Sequence, residues 1–218
     1  SKLNNFGVAH AKGDFYVLMN NDIEVLQENW MEQMLSNCER EEVGIVGARL
    51  YYPDNTIQHA GLVIGIGGSL RGIGANLYQG MRRERSGYLH RAAFQMNYSA
   101  VTAALMMVKK EVYEKAGGFE EELSVAFNDV DFCLRVRNIG YLIVYDPLVE
   151  AYHYESKSRG AEDSPEKVAR FQAEIEFMRN RWEDLLKKGD PNYNIHFSRV
   201  RADYSLGDPE IILRQNRK

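Results

Sequence analysis

Gly13-Asp14-Phe15-Tyr16-Val17-Leu18-Met19-Asn20-Asn21-Asp22 is the stretch on which the reading of the fold turns. An unbroken apolar run from Phe15 to Met19 lies between Gly13-Asp14 and a cluster of two amides and a carboxylate. Such a run suits a strand covered on both faces, as in a parallel sheet. The polar cluster then falls at the strand's C-terminal end, where open α/β sheets present their ligands. The chain enters this strand almost at once and reads as if cut from something longer.

Downstream, Trp30, Met31, Met34, Leu35 and Cys38 recur at helical spacing within residues 30–40, which predicts a helix with one buried face. Val43-Gly44-Ile45-Val46-Gly47-Ala48 follows as a strand. Strand, helix and strand in alternation predict an α/β domain with a mostly parallel, Rossmann-like sheet. Residues 60–87 are rich in glycine and read as irregular and mobile, with one short strand at 62–66. A buried strand is expected over 99–108, a short helix over 109–116 closed by Gly117-Gly118, a helix over 129–138, and strands over 141–145 and 149–152. Phe171, Ile175, Met178, Trp182 and Leu185 mark a long amphipathic C-terminal helix over 165–188. After Gly189 a polar, tyrosine-bearing tail is expected to lie on the surface as an arm, so the chain divides at 1–188 and 189–218.

Bulk properties narrow the class. With 218 residues, 44% hydrophobic and 27% charged, the chain has enough material for one sizeable core. A formal net charge of -4 offers no basic footprint for a nucleic-acid backbone. Cys38 and Cys133 stand far apart without companions, which suits a reducing cytoplasm. No apolar run reaches the length of a membrane span. Asn97-Tyr98-Ser99 matches a glycosylation sequon by chance in such a compartment.

Three constellations could carry chemistry. Asn20-Asn21-Asp22 reads either as a turn or helix N-cap, or as part of a divalent metal site. The second reading needs further oxygens, which a nucleotide diphosphate would supply to Mg2+ or Mn2+. Asn128-Asp129-Val130-Asp131 puts two carboxylates at a helix start, where the positive helix end keeps them ionised. Asp129 is the better candidate for a general base toward an acceptor hydroxyl, since Asp131 has Arg135 four residues on as an ion-pair partner. His153, directly after a strand, could give a metal a neutral imidazole, and Lys157, Ser158 and Arg159 could hold phosphate oxygens in a loop that closes over a diphosphate.

In order and spacing these segments resemble the family 2 glycosyltransferases of the GT-A fold, and among them the bacterial, rhamnosyltransferase-like enzymes of polysaccharide assembly. The likeness runs through Asn4-Asn5, Ala11-Lys12-Gly13-Asp14, Asn20-Asn21-Asp22, Ile57-Gln58-His59-Ala60-Gly61, Thr102-Ala103-Ala104, Gly117-Gly118-Phe119, Asn128-Asp129-Val130-Asp131, His153, Ser158-Arg159-Gly160 and Asp190-Pro191-Asn192-Tyr193-Asn194. The resemblance implies that Asn20 and Asp22 occupy the family's DxD positions and that His153 is a further metal ligand. It also implies Asp129 as the base of an inverting transfer, and Lys157, Ser158 and Arg159 as the cover of the diphosphate. The implied partners are a nucleotide-sugar donor and a glycan or lipid-linked acceptor, met in the cytoplasm or at the inner face of the membrane. Two departures stand out: Asn20 replaces the leading Asp of the DxD, and the family's opening nucleoside-binding unit has no counterpart here. Alone, the chain is therefore expected to bind a sugar nucleotide poorly. The alternative is a non-catalytic module on the same fold, contacting a glycan or partner through residues 65–88, where Arg71, Arg82, Arg83 and Arg85 give a basic character.

Overall fold

The computed structural model describes residues 1–67, 72–154 and 164–208. The elements run α1 (Lys2–His10), β1 (Phe15–Met19), β2 (Ile23–Val25), α2 (Trp30–Cys38), β3 (Val43–Tyr51), β4 (Ile57–His59), β5 (Leu62–Ile64) and β6 (Gly74–Asn76). A short 3-10 turn at Tyr88–His90 leads to β7 (Met96–Tyr98), β8 (Leu105–Lys109), α3 (Lys110–Ala116), α4 (Asn128–Asn138), β9 (Leu142–His153), α5 (Pro165–Arg181) and α6 (Glu183–Lys188).

The main sheet has the order β1-β8-β3-β9-β2, with β4 added to β3 and β7 to β9. β3 and β9 pair in parallel over the longest ladder, and the other pairs are antiparallel. Because β8 is inserted antiparallel between β1 and β3, the strands β1, β3 and β9 all point the same way. Their C-terminal ends therefore share one edge, as the α/β reading requires. β1 itself forms a sheet edge and alternates partly buried with buried positions, where the sequence suggested burial on both faces. Its one partner among the described residues is β8.

Alternation along the strands separates two cores. Ile45, Val108 and Ile143 face a large cluster covered by α3, α4 and α5, whereas Val46, Met107 and Val144 face a smaller one with Met34 and Cys38 of α2. Every residue of β3 is buried, so the centre is covered on both faces, which places the chain in the α/β class. Cys38 and Cys133 are both buried and unpaired.

Several elements depart from the sequence reading. α1 was not expected; it buries no residue, and Asn5 ties it down by donating to Phe119 O and accepting from Phe119 N and the Tyr113 hydroxyl. The two strands expected on either side of Pro147 form one, β9, whose pairing with β3 jumps from Asp146 to Glu150. Proline has no N–H to give the ladder, and a bulge absorbs it. The single helix expected over 165–188 breaks at Trp182, whose backbone (φ -115, ψ 23) leaves the helical region while its indole N–H donates to buried Asp131 at 3.0 Å. The glycine-rich segment is built into the core: β5 and β6 form a hairpin, and Ile64, Ile66, Ile73 and Leu77 are buried. The segment after Gly189 lays Asp190, Tyr193 and Tyr204 into buried positions.

Candidate functional site

Strand direction explains why distant residues meet. Asn20 follows β1, His153 ends β9, and β8 starts at the same edge with Ala104 just before it. Asn20 N–H donates to Ala104 O at 2.9 Å. Asp22 precedes β2, whose Ile23 is paired with His153, and Tyr154 N–H donates to Asp22 O at 3.0 Å. Through these backbone bonds Asn20 Nδ2 stands 3.1 Å from His153 Nε2, and Asp22 Oδ1 3.2 Å from the same nitrogen. Asp22 Oδ1 is shut off from solvent and accepts no hydrogen bond from any described residue. A buried carboxylate oxygen without a donor is costly unless a cation or proton faces it. Asp22 Oδ1, the His153 imidazole and the Asn20 amide thus offer one anionic and two neutral donors suited to a hard divalent ion. No group of three or more His, Cys, Asp or Glu side chains gathers among the described residues, so such an ion would need oxygens from a ligand as well.

The same edge holds Asp129, at the start of α4. Its Oδ2 accepts from Ala103 N–H at 3.3 Å and its Oδ1 from Val130 N–H at 2.8 Å. Ala103 adjoins Ala104, which holds Asn20, so one turn between Val101 and Leu105 anchors both halves of the site. Burial pushes the Asp129 carboxyl above its ordinary 3.8, against the hydrogen bonds from Ala103, Val130 and Thr102 that favour its charged form. The sequence reading had let the helix end dominate; desolvation outweighs it and makes this carboxylate the better proton acceptor. Asp131 is fully buried and committed elsewhere: to Arg135 Nε at 2.8 Å, to Arg181 Nη1 at 3.2 Å and to Trp182.

Two site residues had no assigned role in the sequence reading. Gln58 Oε1 lies 2.7 Å from His153 Nδ1. His59, next to it on β4, has Nδ1 at 2.7 Å from Asn76 Oδ1 and accepts from Thr102 N–H at Nε2, 3.3 Å away. Burial lowers its pKa to about 4, so it is neutral near pH 7 and has one ring proton to give. The signal available was a Gln-His pair inside a short strand whose residues are all buried. Lys157, Ser158 and Arg159 lie outside the described residues, as does Arg71. Of the basic stretch, Arg83 is paired with Glu150 at 3.0 Å and stacked on Tyr51, and Arg82 lies 3.5 Å from Glu84.

The sheet, with its candidate residues gathered where β1 and β9 end, has the GT-A fold of the solved structures it resembles. The chain belongs to glycosyl transferase family 2, whose sequence model matches residues 2–117. It is 48% identical to the uncharacterized protein y4gI of Sinorhizobium fredii, over 96% of this chain and 23% of that protein. It is 34% identical to the O-antigen biosynthesis protein RfbC of Myxococcus xanthus, over 94% of this chain and 15% of that one. The chain thus spans less than a quarter of the length of these two relatives. Among solved structures it resembles GalNAc-T7 with UDP, GalNAc and Mn2+, with a TM-score of 0.58 at 13% identity, covering 85% of this chain and 35% of that one. Among the described residues no helix is long and apolar enough to cross a membrane.

Proposed function

We propose that this chain is the acceptor-activating, metal-binding part of an inverting glycosyltransferase that moves a sugar from a nucleotide-sugar to a glycan or lipid-linked acceptor in cell-surface polysaccharide synthesis. The observation that carries the reading is that the turn before β8 anchors both Asn20 and Asp129 at one sheet edge, with His153 and Asp22 set beside Asn20 by the pairing of β2 with β9. Kinship with an O-antigen biosynthesis protein supports the pathway, and the Mn2+ and UDP of the GalNAc-T7 structure support the donor class.

In this reading Asp129 takes the proton of the acceptor hydroxyl as its oxygen attacks the anomeric carbon, and the bond from that carbon to the diphosphate breaks on the opposite face. The product carries the inverted linkage, β from an α-linked D-sugar donor. Asp22, His153 and Asn20 hold Mg2+ or Mn2+, which when bound offsets charge on the diphosphate leaving group. Lys157, Ser158 and Arg159 supply further positive charge and donors to that group. Residues 1–188 form the transferase portion and 189–218 its C-terminal arm, and the chain by itself is inactive.

The test uses the full-length protein with Mn2+ and a panel of UDP-, GDP- and dTDP-sugars. One nucleotide class is expected to raise the melting temperature, and Asp22→Asn should abolish that shift. If none of the panel stabilises the full-length protein, the reading fails.

A further inference from the structure

His153 is gripped at both ring nitrogens, and the two contacts bear on the same question. A neutral imidazole carries one proton, and the nitrogen without it is the one that can bind a metal. Gln58 Oε1 faces Nδ1 at 2.7 Å, a short distance for an acceptor receiving an N–H. At the other nitrogen lies Asn20 Nδ2, 3.1 Å away, an amide nitrogen that can only donate and so calls for an acceptor on the ring. Both contacts place the proton on Nδ1 and the lone pair on Nε2. Among the described residues, Asp22 Oδ1, 3.2 Å from Nε2, is the contact that would favour the opposite arrangement.

We infer that Gln58 is a positioning residue that holds His153 in the Nδ1–H tautomer, so that the Nε2 lone pair and Asp22 Oδ1 face the same gap. The consequence for a cation rests on the metal role given to His153 above. Two electron-rich atoms 3.2 Å apart, one of them a buried carboxylate oxygen that accepts from no described residue, repel each other until something positive lies between them. Gln58 keeps the imidazole's own proton from filling that gap. Its position allows this: it lies on β4, is 6% exposed, and β4 is hydrogen-bonded to β3, whose other edge carries β9 and thus His153. The amide is therefore set by the sheet rather than by a loop. The other half of the dipeptide, His59, holds the Thr102 turn, so β4 supports both sides of the site.

The experiment is a long-range 1H–15N spectrum of the histidine rings of this chain at about pH 8, above the ordinary imidazole range. His153 is expected to show a protonated Nδ1 and a bare Nε2. Gln58→Glu retains an acceptor and should preserve that pattern; Gln58→Leu, similar in volume, removes it and should move the ring toward the Nε2–H form. A backbone amide spectrum unchanged outside β4 and β9 verifies that each variant is folded. The second readout is broadening of the His153 ring signals by Mn2+ with inorganic pyrophosphate, whose midpoint should rise about tenfold or more in Gln58→Leu. A wild-type ring with its proton on Nε2, or a tautomer indifferent to Gln58→Leu, overturns the inference. A correct tautomer response with no Mn2+ broadening at all sustains Gln58 as the positioning residue and removes the metal role from His153.

Discussion

Asp129 and Asp131 stand side by side at the head of α4, yet their surroundings separate them. Asp131 is saturated by Arg135, Arg181 and Trp182, whereas among the described residues Asp129 accepts from backbone N–H groups and a hydroxyl. On the proposed role of Asp129 as general base, Asp129→Asn in the full-length protein is expected to lower kcat by about a hundredfold to ten-thousandfold, with the fold intact by circular dichroism. The sign of its pH effect follows from the raised pKa. Between 3.8 and the higher folded value the native state holds a proton that the unfolded chain has lost, so stability falls as pH rises through that window. The Asn variant does not titrate, and urea melts should show it gaining on wild type across the same interval. His59 behaves in the opposite sense. Its pKa drops from 6.5 to about 4 on folding, so its contribution is complete above 6.5 and is lost as pH falls toward 4. The loss amounts to up to ~3 kcal/mol, and His59→Gln should flatten that part of the stability profile measured by urea denaturation.

Elements, not single residues, explain what could be read in advance. β1 and β3 were legible as short apolar runs, α2 from apolar residues at helical spacing, and α3 and α4 from the signals at their ends. So were the αL closure of α3 at Gly117 and the Asp131–Arg135 pair. α1 was invisible because none of its residues is fully buried, and although a strand was expected over 62–66, its partner β6 was hidden behind glycines that suggested irregularity. In the site, chemistry-bearing residue types could be picked out, but Gln58 and His59 act through strand pairing that a linear reading does not contain. Gly61 shows how tightly that region is built. Its φ of +90 suits glycine, and a Cβ there would lie 2.1 Å from the Tyr98 ring. Gly61→Ala should therefore cost about 3 kcal/mol through backbone strain and overpacking together, read as a lower urea midpoint with an unchanged slope. A neutral cost would mean that the strand after β4 can shift away from Tyr98, and the support of His59 for the Thr102 turn would be looser than its hydrogen bonds indicate.

At the scale of the whole molecule, the buried positions after Gly189 bear on whether residues 1–188 fold without the segment that follows them. Asp190 is buried, accepts from Ile64 N–H and the Ser99 hydroxyl at 2.7 Å each, and receives Asn192 N–H at 2.7 Å. It therefore clamps β5 to the bend that follows β7. Tyr193 and Tyr204 pack on each other with centroids 4.9 Å apart, and Tyr204 also packs on Tyr78 from the glycine-rich segment. Each fully buried large side chain is worth roughly 1.5–3 kcal/mol, and an orphaned buried N–H adds about 1–3 kcal/mol of penalty. Deleting residues 189–218 removes both tyrosines and the Asp190 carboxylate together, a loss of about 5 kcal/mol or more, comparable with the whole stability of an ordinary domain. The truncated chain is expected to lose near-ultraviolet circular dichroism and its cooperative melt, and the glycine-rich hairpin with them. Asp190→Asn, which can keep some of these hydrogen bonds, should cost far less and leave a single transition. If the truncated chain instead melts cooperatively close to wild type, the arm is an independent appendage, and the buried positions of Tyr193 and Tyr204 contribute little to holding the site's supporting strand in place.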